Sequence, residues 1–65
     1  MPDRKIIKEM VLFLRYARDE WAQLAEQWDA MDNTNEARRT REQQEHCERE
    51  IDRLLAELPE DERQF

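Results

Sequence analysis

Hydrophobic residues recur every seven positions along the first half of the chain. Ile7, Leu14, Trp21 and Trp28 form one series, and Met10, Ala17, Leu24 and Met31 form a companion three residues further on. Paired series of this kind mark a helix that buries one long stripe against another helix. Beyond residue 35 the pattern restarts, with Ala37, Gln44, Ile51 and Leu58 at one position and Thr40, Cys47 and Leu54 at the other. The spacing predicts one helix over about 3–32 and a second over about 35–58.

Between them lies Asp32-Asn33-Thr34-Asn35, whose side chains bond to nearby backbone and compete with a continuing helix. Asn33 followed by Glu36 has the spacing of a capping box, and Thr34 or Asn35 are alternative caps. A break over 32–35 is favoured over one uninterrupted helix, although neither glycine nor proline forces the stop. If the chain turns back here, the expected layers are Met31 with Ala37, Trp28 with Thr40, Leu24 with Gln44, Trp21 with Cys47, Ala17 with Ile51, Leu14 with Leu54 and Met10 with Leu58. Large residues then mostly face small ones, as dense packing requires.

Charge favours the same antiparallel arrangement. Residues 19–36 hold six acids and no lysine or arginine, and folding back sets them beside Arg38, Arg39 and Arg41. At the other end Arg4, Lys5 and Lys8 come near Glu57, Glu60, Asp61 and Glu62. Pro59 closes the second helix, because it lacks an amide donor and disfavours α geometry in the residue before it. The tail 59–65 is expected to fray, with one further helical turn starting at Pro59 as the alternative.

The first helix carries more apolar residues than one stripe can bury. Ile6, Val11, Leu12, Phe13 and Tyr16 fall outside the predicted seam, and Leu55 does so on the second helix. Together they define a candidate interface for a dimer or another partner. The expected architecture is therefore all-α: a single-domain antiparallel helical hairpin that dimerises into a four-helix bundle. With one central turn and heptad layers along nearly the whole chain, it resembles the Rop-type helical hairpin, whose two-helix chains dimerise and bind paired RNA loops. The resemblance is architectural, and it carries no RNA-contacting residue over to this sequence.

Composition narrows the function. Sixty-five residues suffice for one small domain with a limited core, and 43% charged residues with no glycine suit long helices. A net charge of −6 argues against general affinity for nucleic acid. The single cysteine cannot form an intrachain disulfide, the N-terminal stretch lacks signal-peptide character, and the longest apolar run, Met10 to Leu14, is too short to span a bilayer. The expected location is cytoplasmic, with no membrane partner.

Little in the sequence points to catalysis or metal binding. In Glu45-His46-Cys47-Glu48 the cysteine falls in the seam and the histidine outside it, so they diverge by about 100°. No cofactor, metal or catalytic residue is expected, and the chain reads as non-enzymatic. Trp21 and Trp28 read as core residues, with Gln44 as a candidate partner for an indole N–H. Candidate polar contacts are Arg38, Arg39, Arg41 and Arg49, although Arg38–Glu42, Arg41–Glu45, Glu45–Arg49 and Arg53–Glu57 all have the spacing of self-paired charges. The expected partners are a second copy of the chain and another protein, as for accessory regulators or inhibitors carried by phages or plasmids. Rop-like RNA binding is the alternative, and a third reading has the acidic run from Asp19 to Glu36 mimicking a nucleic-acid backbone.

Overall fold

The computed structural model describes residues 3–65 and shows two helices packed antiparallel, α1 over Arg4–Ala30 and α2 over Thr34–Leu55. The hairpin is a rod of 43 × 17 × 15 Å. Its long dimension is set by α1, whose 27 residues at about 1.5 Å each span about 40 Å.

The turn is tighter than the sequence suggests, occupying only Met31 to Asn33. Asp32 takes the left-handed conformation (φ 58°), the place glycine usually fills at a helix end. Its amide donates to the Asp29 carbonyl at 3.0 Å, and the Asn33 amide reaches the Trp28 carbonyl at 2.9 Å. These two bonds make a Schellman ending, which satisfies carbonyls that α1 would otherwise leave bare. Asn33 then caps α2, its side chain accepting from the Glu36 amide at 3.2 Å. At the other end of α1, the Asp3 side chain accepts from the Lys5 amide at 3.1 Å.

On α2 the seam is the expected one. Ala37, Thr40, Cys47, Ile51 and Leu54 are buried and Gln44 is partly so, and Leu58, beyond the end of the helix, is buried as well. Thr40 is accommodated because its hydroxyl donates to the Glu36 carbonyl one turn back, at 2.7 Å.

On α1 the stripe is different. The three buried residues, Ile7, Val11 and Ala25, fall on one stripe with the half-buried Leu14, Arg18, Trp21 and Trp28, spaced alternately four and three apart, and Lys8, Arg15, Ala17, Ala22 and Leu24 are half-buried beside it. The series beginning at Ile7 is as expected, but its companion is Val11, Arg18 and Ala25. Met10 and Met31 are 43% and 69% exposed, and Ala17 and Leu24 lie at the margin. A charged residue inside the true stripe hides it. Arg18 lies between Val11 and Ala25, its guanidinium reaching the exposed Asp19 at 3.2 Å, so the long side chain serves the seam without burying its charge. The expected layers built on Met10 and Met31 are corrected accordingly.

Ile7, Val11, Ile51, Leu54 and Leu58 form the main apolar cluster at the open end of the hairpin, with Leu14 and Leu55 packed against it. α2 stops at Leu55, three residues earlier than the heptads suggest, yet Leu58 still enters the core after a turn. The segment after Pro59 lies against α1. It forms a short 3₁₀ turn, α3, over Glu60–Glu62, with Pro59 at its start. The Glu62 carboxylate accepts from Arg4 at 3.0 Å and from Lys8 at 3.2 Å. Phe65 follows, with the Arg15 guanidinium 5.0 Å from its ring centre.

Candidate interaction surface

The corrected seam explains where the surplus apolar residues go. Ile6, Met10, Phe13, Ala17 and Leu24 each precede a seam residue by one position, which sets them about 100° round the helix from the buried stripe. They form a second ridge with heptad spacing. Phe13 is 73% exposed, Ile6 half exposed, and Tyr16, next along from Phe13, 67% exposed.

Beside this ridge runs a shallow groove of about 410 Å³ lined by Ile6, Glu9, Met10, Phe13, Leu14, Glu50 and Leu54. Its floor comes from both helices. A knob and a receptive furrow therefore lie side by side on one face. The hollow at the open end, about 770 Å³ between Asp3, Arg4, Ile7 and the bend from Ala56 to Pro59, is a cleft between the ends of the two helices.

Four of the six residues expected at the interface stand exposed: Ile6, Leu12, Phe13 and Tyr16. Leu12 lies on the other flank of the seam, one position after Val11, and does not join the ridge. Val11 is fully buried in the hairpin's own core, because it and not Met10 follows Ile7 in the seam. Leu55 packs partly against the core cluster. Val11 is thus corrected from interface to core, while Leu55 keeps part of its side chain exposed.

The arginines separate into two groups. Arg41 bridges the helices to Asp29, which raises its pKa above the ordinary arginine value, first through the hydrogen bond and then through the carboxylate's charge. Arg39 pairs with Glu36 at 3.3 Å. Arg38 and Arg49 are exposed and form no ion pair among the described residues. Of the anticipated i, i+4 pairs only Arg53–Glu57 is made, at 3.7 Å, and Arg53 lies closer to Glu50 at 2.7 Å.

Cys47 is a free thiol buried in the seam, and His46 is exposed, so the two point apart. Among the described residues no cluster of three or more His, Cys, Asp or Glu is placed to hold a metal ion, and no helix is long and apolar enough to cross a membrane. Trp21 and Trp28, expected as core residues, lie in the seam but are half-buried. Comparison with family models, with curated proteins and with solved structures finds no match.

Proposed function

We propose that this chain is a small non-catalytic regulatory or inhibitory protein of the cytoplasm that acts by binding another protein. It does so as a homodimer, in which two hairpins join through the Phe13 face of α1 into a four-helix bundle. The observation that carries the reading is the ridge of Ile6, Met10 and Phe13, exposed beside a groove that its own residues help to line. A two-fold axis near this point seats each Phe13 in the groove of the other copy, the self-complementary arrangement that symmetric dimers use. The heptad spacing of the ridge suits a helix as its partner. The outer surface around Arg38 and Arg49 then remains open to the regulated protein.

Sedimentation equilibrium over a wide concentration range tests this. Wild type is expected as a dimer, and Phe13→Asp as a folded monomer. A wild type that stays monomeric at every concentration would remove the bundle and leave the ridge as a surface for a different protein.

A second reading, an RNA-binding bundle, rests on Arg38 and Arg49, whose guanidinium groups are exposed. Arg39 and Arg41 support it less, since both already hold carboxylates. RNA affinity that falls steeply with salt and disappears in Arg38→Ala/Arg49→Ala would favour this reading over the first.

A further inference from the structure

We propose that Arg4, Lys8 and Arg15 form a docking stripe for an acidic segment of a partner protein, and that residues 59–65 of this chain occupy the stripe as a built-in competitor. Lys8 and Arg15 each follow a seam residue by one position, whereas Ile6 and Phe13 precede one. The stripe therefore lies on the opposite flank of α1 from the Phe13 ridge, and the proposal stands independently of the dimer. Arg4, Lys8 and Arg15 are spaced four and seven apart, so they line one side of the helix over about 16 Å.

What fits the stripe is visible in what already covers it. The Glu62 carboxylate is held jointly by Arg4 and Lys8. Three residues on, the Phe65 ring lies 6.0 Å from the Lys8 ammonium and 5.0 Å from the Arg15 guanidinium, within the range of cation–π attraction. Arg15 also donates to the Phe65 backbone oxygen at 2.8 Å. The stripe thus selects a carboxylate followed by an aromatic ring at the Glu62–Phe65 spacing.

The segment behaves as a ligand and not as core. After Leu58 none of its residues is buried, Phe65 stays 42% exposed, and Arg4 keeps two-thirds of its side chain in solvent. Exposed ion pairs hold weakly and are screened by salt. The segment is therefore displaceable while the hairpin core, Leu58 included, stays intact. An incoming acidic segment must compete with it, so the partner's apparent affinity is reduced by the fraction of time the stripe is covered.

The test is an amide chemical-shift titration of the full chain with an acetylated peptide of the sequence PEDERQF. It compares wild type, the release variant Glu62→Gln/Phe65→Ala, and the release variant carrying Lys8→Ala and Arg15→Ala as well. Phe65→Ala alone, at a position 42% exposed, replaces the double variant if the latter fails to fold. The expected result is saturable shifts over residues 4–15 in the release variant, at least roughly fivefold weaker binding in wild type, and no binding once Lys8 and Arg15 are removed. Equal affinity in wild type and release variant, or binding that survives loss of the two cations, overturns the proposal. So does a Phe65 signal in wild type that changes on dilution, which would assign the covering segment to a second copy.

Discussion

Asn33 and Glu36 cap the second helix in one direction only. The Glu36 amide donates to the Asn33 side chain at 3.2 Å, but the Asn33 amide is spent on the Trp28 carbonyl at 2.9 Å, leaving the Glu36 carboxylate to pair with Arg39. The reciprocal half of the capping box is given up to the ending of α1. Asn33→Ala should therefore destabilise the hairpin by about 1 kcal/mol. Glu36→Gln should change stability by less than about 0.5 kcal/mol, the usual range for exposed surface substitutions. Urea denaturation of both variants checks the difference, and equal losses would mean that the carboxylate takes part in the cap.

Asp32 holds a left-handed backbone that costs most residues energy and glycine almost none. Asp32→Gly should stabilise the protein by roughly 0.5–1 kcal/mol, the greater freedom of the unfolded glycine chain offsetting part of the gain. Asp32→Val should destabilise it. Thermal melts of the two variants should move in opposite directions.

The corrected seam makes a sharp distinction between two apolar residues. Val11→Ala removes two methyl groups from a fully buried site and should cost about 2 kcal/mol. Met31→Ala, at a position 69% exposed, should change stability by less than about 0.5 kcal/mol. Comparable losses by chemical denaturation would restore the stripe through Met10 and Met31.

The Arg53 guanidinium, donating to the Glu50 carboxylate, holds the Glu50 carboxyl below the usual carboxylate range. A pKa lower in the folded than in the unfolded chain means that the pair's contribution is fully present above the ordinary glutamate pKa. It is lost as pH falls through the folded value. Carboxyl titration by NMR should show Glu50 returning to the ordinary range in Arg53→Gln, and the stability difference between that variant and wild type should vanish in acid.

Much of this molecule is legible in its sequence. The turn, the cap at Asn33, the whole seam of α2 and the separation of Cys47 from His46 all follow from local chemistry or from one helix's own period. The first helix is harder, because it carries two neighbouring stripes of heptad spacing. Met10, Ala17, Leu24 and Met31 are unbroken and apolar, so they read as the seam. Val11, Arg18 and Ala25 are interrupted by a charge, so they do not. In the segment after Pro59 the charge pattern already sets Arg4 and Lys8 near Glu62, but the contacts of Phe65 with Lys8 and Arg15 are harder, because they join residues about fifty positions apart.

The sequence by itself determined that the chain makes two helices, where they meet and which face of the second is buried. Those properties reside in single turns and single periods. Only the tertiary structure decided which stripe of α1 faces α2, that Arg18 lies within it, and that residues 59–65 cover a basic flank. A heptad period says that a helix has a buried face, but two stripes about 100° apart satisfy it equally. The choice is made by the surface the helix packs against, and that surface exists only once the chain has folded back.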